Sequence, residues 1–223
     1  EQLISLGVKN AVISPGSRST PLTYALASNN RIKCNIMVDE RSSAFFALGI
    51  AKQTGSPVLV VTTSGTAAAE LYPAVIEAFQ SRVPLIIATA DRPPYLRNMG
   101  ANQTINQKNI FKNHIRYSSE LPLPAVEEKP LNILKQELTK AFNIALYADR
   151  GPVHLNIPFD KPFEPDNFTD LIAGSLIKKI TPGKNKKLSE KPGHSLSKEP
   201  GIIKKIISTE RGIIFCGSGN YSD

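Results

Sequence analysis

A chain of 223 residues with 41% hydrophobic content can bury one complete core and begin a second domain, which sets disorder aside as the first reading. The formal charge of +8 raises nucleic acid as a partner, yet residues 161–223 hold eleven Lys or Arg against seven acids, half of the excess. The remaining +4 is scattered over residues 1–160 without a basic stripe interleaved with aromatics, so no nucleic-acid partner is expected. No run approaches the roughly 18 apolar residues of a membrane span, and the opening lacks a charged start followed by an apolar signal core. Only two cysteines occur, Cys34 and Cys216, far apart and each beside an apolar run, which excludes a disulfide framework and predicts two buried, reduced thiols in a cytoplasmic protein.

The opening EQLISLGVKN reads as the end of a helix, with Gly7 just past its last apolar turn. Short Val- and Ile-rich runs come next at 11–14, 35–38, 58–63, 84–90 and 153–158; they do not alternate with polar residues, the pattern of strands covered on both faces. Between them, helical spacing places Ala44, Phe45, Leu48 and Ala51 on one face of 41–53, and Leu71, Val75, Ile76 and Phe79 on one face of 67–80. A third helix is predicted over 131–148. Alternating strand and helix makes a doubly wound α/β domain with a parallel sheet over residues 1–160. From Pro162 the text turns to Pro, Gly, Ser and Lys, predicting an exposed linker over 161–200; a second α/β domain then starts at 201–223, with the strand 212–216 and a glycine turn that should lead into an absent helix. Both ends read as cut from something longer.

Ligands of such a sheet gather where strands end and loops enter the next helix, which selects four segments. SPGSRSTPL at 14–22 can bind an anion through backbone N–H groups, a helix N-terminus and Arg18; equally, it can be a plain turn capped by Ser19 or Thr20. Neither a GxxxxGK[ST] nor a GxGxxG spacing is present. DERSSAFFALG puts Glu40 at a helix start, where an acid often only complements the helix dipole; its apolar flanks also predict a partly buried carboxylate suited to a proton relay. In TTSGTAAAELYPAV, Gly65 and the alanines allow close approach to the backbone, whether by a ligand or by helix-on-sheet packing. TADRPPYLRNMGANQTINQ leaves its strand at Ala90; Pro93 and Pro94 are expected to block a helix, and Arg92, Asn102 and Gln103 offer donors for carboxylates and hydroxyls. This loop, 90–107, is expected to be mobile without substrate. His114, His154 and His194 share no metal-ligand spacing, no GxSxG elbow occurs, and His154 reads as a strand residue.

Taken together and in order, SPGSRSTPL, DERSSAFFALG, TSGTAAAELYPAV and ADRPPYLRNMGANQTINQ resemble the pyrimidine-binding domain of the 2-succinyl-5-enolpyruvyl-6-hydroxy-3-cyclohexene-1-carboxylate synthase family, thiamine-diphosphate enzymes of menaquinone biosynthesis. The resemblance covers residues 5–160; Glu70 stands where the family pattern has Asn. It implies that Glu40 hydrogen-bonds the aminopyrimidine N1′ of thiamine diphosphate, and that the whole enzyme decarboxylates 2-oxoglutarate and adds the remaining carbon unit to isochorismate. By the same resemblance Glu40 and Gln103 are catalytic, Ser17, Arg18, Arg92 and Asn102 bind substrate, and Ser64, Gly65 and Thr66 join Glu40 at the cofactor. The family's diphosphate and Mg²⁺ site sits in a C-terminal domain bearing a Gly-Asp-Gly motif, which this chain lacks, so no metal ligand is expected here and the piece alone is expected to be inactive. The family also implies a homodimer or homotetramer with its active site between subunits. An acetolactate-synthase-like carboligase would share Glu40 without needing Arg18, Arg92 and Gln103, and a non-catalytic assembly domain could use the same scaffold.

Overall fold

The computed structural model describes residues 1–164 together with Lys204 and Ser208. The chain divides into two compact units, Glu1–Gly183 and Lys184–Asp223. The predicted linker and second-domain start at 161–223 fall almost wholly outside the described residues, as does Cys216. Within 1–164, helix α1 (Gln2–Leu6) ends at Gly7, whose φ of 118° lies in the left-handed region that glycine reaches without a Cβ penalty. Strand β1 (Asn10–Ile13) leads through a short 3-10 turn (Ser17–Ser19) into α2 (Thr20–Ala27), and β2 (Lys33–Ile36) into α3 (Glu40–Thr54). Then come β3 (Val58–Thr62), α4 (Thr66–Glu70), α5 (Tyr72–Gln80), β4 (Leu85–Asp91), β5 (Tyr117–Glu120), α6 (Glu128–Asn143) and β6 (Val153–Pro158).

All six strands run parallel in the order β2-β1-β3-β4-β6-β5. Successive residues face opposite sides, so Ala11, Ile13, Leu59, Val61, Ile86 and Ala88 pack towards α1, α2 and α6, while Val12, Val58, Val60, Leu85 and Ile87 pack towards α3, α4 and α5. This is the doubly wound architecture expected from the alternating pattern. Because β1 is followed by β2 on one side and the chain then crosses to β3 on the other, the loops after β1 and β3 flank a topological switch point, where open α/β sheets bind ligands.

Five local expectations need correction. Strand β2 begins and ends two residues earlier than predicted and is not covered on both faces: Lys33 and Ile36 are exposed because the strand lies at the sheet edge. The other edge strand, β5, was missed, since YSSE is polar and only half-buried, with none of the Val/Ile content of the inner strands. The single helix foreseen over 67–80 is two helices, because Pro73 has no N–H to continue the ladder. Helix α6 starts at Glu128, Pro130 being tolerated in a first turn, and ends in a π-helical turn, Ile144–Ala148. Cys34, expected to be buried, is half-buried, and what burial it has raises its thiol pKa.

Candidate active site

The loop after β1 is fastened to the end of β3. Gly16 is extended, and a Cβ there would stand 2.3 Å from Thr63 Cβ, so only glycine allows this crossing of the switch point. The expected caps are not used: α2 has no side-chain cap, and Ser19 Oγ instead donates to Gly16 O at 2.9 Å. Ser17 faces solvent, whereas Arg18 is only 9% exposed. Its Nη1 donates to the Phe159 carbonyl, the guanidinium lies 4.6 Å over the Phe163 ring, and its buried Nε has no partner among the described residues.

After β2, Asp39 caps α3 by accepting from Ser42 N–H at 2.7 Å, an interaction with Ser42 that holds its carboxyl below the usual value. That capping makes Glu40 the first helical residue. Glu40 is half-buried, as its apolar flanks suggested, and no hydrogen bond engages its carboxylate among the described residues. Exposed apolar side chains surround this corner: Val38, Phe45 and Phe46.

The loop after β3 and the loop after β4 form one hydrogen-bonded assembly. Strand β4 runs one residue further than predicted, to Asp91, and Arg92 is next, at 9% exposure. Arg92 Nη1 donates to Ser64 Oγ and to Gln103 O, the latter at 2.8 Å; Gln103 Nε2 donates back to Ser64 O at 2.9 Å. Gln103 carries a φ of 56°, unusual for a residue with a Cβ, and Gly65 has a φ of 83°. A Cβ on Gly65 would meet Gln103 Cγ at 2.7 Å, so the expected close approach at Gly65 is made by Gln103. Pro93 and Pro94 do not prevent helical geometry: Pro94 opens a 3-10 turn, Pro94–Leu96, a position where its missing N–H costs nothing. Asn102 and Thr66 are exposed, with no side-chain partner among the described residues.

Arg18, Arg92, Ser64, Gly65 and Gln103 therefore share the carboxyl edge of the sheet, while Ser17, Thr66 and Asn102 stand there in solvent and Glu40 stands apart from the hydrogen-bonded assembly. Burial lowers the pKa of both Arg18 and Arg92, and for Arg18 the neighbouring Arg92 charge adds to the effect against Asp160 and Asp91. Neither arginine is in a salt bridge among the described residues. A buried cation without a paired anion is costly, a cost that an anionic ligand can offset.

Sequence reasoning did not single out the polar core beneath this edge. Gln107 is 1% exposed, accepting from Gly65 N–H at 2.8 Å and donating to Ala90 O and Asn156 Oδ1, both at 3.1 Å. Asn156 Nδ2 donates to Asp91 Oδ2 at 2.8 Å, and Thr89 Oγ1 donates to Asn156 Oδ1 at 3.0 Å. With its proton used there, Thr89 accepts from His154 Nε2 at 2.8 Å, which sets the neutral imidazole in the Nε2–H form. His154 is fully buried in β6, as a strand residue, and burial lowers its pKa from 6.5 to about 3. The signal for this core was the pair of polar side chains inside an otherwise apolar strand, VHLNIP.

Among the described residues no three His, Cys, Asp or Glu side chains could share a metal ion, and no helix is long and apolar enough to cross a membrane. An apolar cavity of about 590 Å³, bordered by Leu22, Leu26, Leu134 and Leu138, contains none of the candidate site residues in its lining.

Residues 1–110 match the family model described as thiamine pyrophosphate enzyme, N-terminal TPP binding domain. Over 160 residues the chain is 53% identical to the 2-succinyl-5-enolpyruvyl-6-hydroxy-3-cyclohexene-1-carboxylate synthase of Lysinibacillus sphaericus, covering 72% of this chain and 28% of that protein. Synthases of the same name from Gloeothece citriformis and Halorubrum lacusprofundi are 45% and 42% identical, each over 97% of this chain and over 38% and 36% of their own lengths. The chain thus spans between 28% and 38% of the length of these relatives.

Proposed function

Because this chain belongs to the 2-succinyl-5-enolpyruvyl-6-hydroxy-3-cyclohexene-1-carboxylate synthase family of thiamine pyrophosphate enzymes, we propose that it is the pyrimidine-facing part of an enzyme that decarboxylates 2-oxoglutarate and joins the product to isochorismate. The observation that carries the substrate class is the pair Arg18 and Arg92, two buried guanidinium groups without a salt bridge, at the switch point of the sheet. Both proposed substrates are dicarboxylates, and a guanidinium fork matches a carboxylate in two places. Arg18 keeps its buried Nε–H unspent for this purpose.

Two features support the aminopyrimidine end of thiamine diphosphate as the ligand: a half-buried carboxylate with no hydrogen-bond partner among the described residues, at the start of α3, and, separately, the glycine-containing turn before α4. When bound, the cofactor supplies the carbon nucleophile and the electron sink for decarboxylation. Glu40 would hold or deliver the proton at the ring nitrogen it faces; Ser64, Gly65 and Thr66 would line the ring. Ser17, Arg18 and Arg92 would bind the carboxylates, and Asn102 and Gln103 would orient the reacting groups. On this reading the diphosphate and Mg²⁺ would be held by another part of the enzyme, and residues 1–223 alone would be inactive.

The exposed apolar corner of Val38, Phe45 and Phe46 beside Glu40 supports a homodimer or homotetramer in which a second subunit closes the site. The same reading makes residues 161–200 a linker, 201–223 the start of the central domain, and the protein cytoplasmic. Carbon dioxide release from 2-oxoglutarate by the full-length protein, with thiamine diphosphate, Mg²⁺ and isochorismate, tests the proposal. Formation of the coupled product only with isochorismate, and a loss on the order of 10²- to 10⁴-fold in Glu40→Gln, are expected; turnover of pyruvate in place of 2-oxoglutarate would point to an acetolactate-synthase-like carboligase.

A further inference from the structure

We propose that Gln107 is a positioning residue of the synthase, its buried amide holding the turn at Ser64 and Gly65 and thereby setting where Gln103 and Arg92 stand. The inference rests on the reading above. Gln107 uses both ends of its amide on three strand ends: Gly65 after β3, Ala90 at the end of β4 and Asn156 in β6, at 2.8, 3.1 and 3.1 Å. Its orientation is dictated from below. Asn156 Nδ2 is turned to Asp91 Oδ2 at 2.8 Å, so the atom Asn156 presents to residue 107 is Oδ1, an acceptor that also receives Thr89 Oγ1 at 3.0 Å. Gln107 must answer with its NH₂, and its oxygen is left to the Gly65 N–H.

That N–H belongs to the residue before α4, a helix without a side-chain cap of its own, and Gly65 has no side chain by which packing could fix it. The turn's position is therefore decided by polar bonds: Arg92 and Gln103 hold Ser64, and Gln107 supplies the buried bond to the Gly65 N–H. Gln103 then rides on the turn: its Nε2 bonds Ser64 O, its carbonyl receives Arg92, and its Cγ occupies the space a Cβ of Gly65 would need. A slip of the turn displaces both side chains proposed to meet substrate, and misplacement by about 1 Å can cost on the order of 10²-fold in rate.

The test compares full-length wild type with Gln107→Met and Gln107→Glu. Methionine keeps the length but removes the acceptor of the Gly65 N–H and the donor to Ala90 O and Asn156 Oδ1, the last of which keeps only Thr89 Oγ1. Glutamate, when ionised, faces two acceptors; protonated, it donates and accepts much as glutamine does, and burial among acceptors favours the protonated form. The expected results are faster hydrogen exchange at Gly65 in Gln107→Met with β3 and β4 amides still protected, and a fall in kcat of tenfold or more. In Gln107→Glu, activity relative to wild type should recover as pH falls, with no such recovery in Gln107→Met. Unchanged Gly65 exchange, or a relative activity of Gln107→Glu that is flat with pH, would overturn the proposal. If Gln107→Met does not fold, the pH profile and Gly65 exchange of Gln107→Glu decide alone. An inactive wild type would instead sink the functional reading, while Gly65 exchange still reports on Gln107.

Discussion

Two arginines five residues apart on one loop solve burial in opposite ways. Arg97 is enclosed by anions: its Nε lies 3.1 Å from Asp91 Oδ2 and its Nη1 2.7 Å from Glu120 Oε2. The guanidinium of Arg92, buried more deeply, bonds only to neutral oxygens of Ser64 and Gln103, and that of Arg18 only to the Phe159 carbonyl. Burial alone therefore says little about an arginine's role; under the proposed function, the charge of its partners separates Arg97, held within the fold, from Arg92 and Arg18, which would meet a ligand. Asp91 and Glu120 neutralise Arg97 from within the fold, whereas a neutral partner leaves the charge of Arg92 and Arg18 available to something that arrives later.

The largest expected effect breaks the paired side. Arg97→Met strips the fully buried Asp91 of its cation and should lower unfolding free energy by about 3 kcal/mol in urea denaturation of the full-length protein; an unchanged midpoint would mean that Asn156 and the Arg92 N–H satisfy Asp91 unaided. The unpaired side should respond in binding. Arg92→Met is expected to raise KM for 2-oxoglutarate or isochorismate by about 10- to 100-fold, with a smaller loss of stability than Arg97→Met, because a charged hydrogen bond to ligand contributes about 1.5–3 kcal/mol. The reverse ranking, Arg92→Met more damaging to folding than to KM, would erase the contrast between the two arginines.

A pH titration sharpens the comparison further, because the polar core that holds Asp91 ends at His154. The folded pKa of His154 is depressed from 6.5 to about 3 by burial, so the unfolded chain takes up its proton first as pH falls. Its contribution to stability is complete above pH 6.5 and is lost down to about pH 3, at up to about 1.4 kcal/mol per pH unit for the one proton. Urea midpoints across that range should show a shallower slope in His154→Gln than in wild type; equal slopes would place the acid sensitivity elsewhere.

Much of the site is legible in the sequence. Arg18, Glu40, Gly65 and Arg92 each come just after a Val- or Ile-rich run, and a parallel sheet must gather the loops that leave its strands at one edge. Hidden were the roles of Gln107, Asn156 and Asp91, which looked like ordinary loop and strand residues. The hydrogen bonds that the 90–107 loop makes at Arg92, Gln103 and Gln107, and from Arg97 Nε to Arg92 O at 3.1 Å, carried no signal in the sequence. Edge strand β5 escaped notice because a polar strand carries almost no periodic signal.

The amino-acid order was enough to establish the strands and helices of the inner sheet, their alternation, and which loops gather at its carboxyl edge, because those depend on apolar content, local spacing and chain direction. Partners separated by 17 to 65 residues were chosen by the folded chain alone: Gln107 with Ala90 and Gly65, Asn156 with Asp91, His154 with Thr89. An amide, a hydroxyl or a guanidinium bonds equally well to many partners, and its choice is made by the packing of strands that brings one of them within about 3 Å while water is excluded.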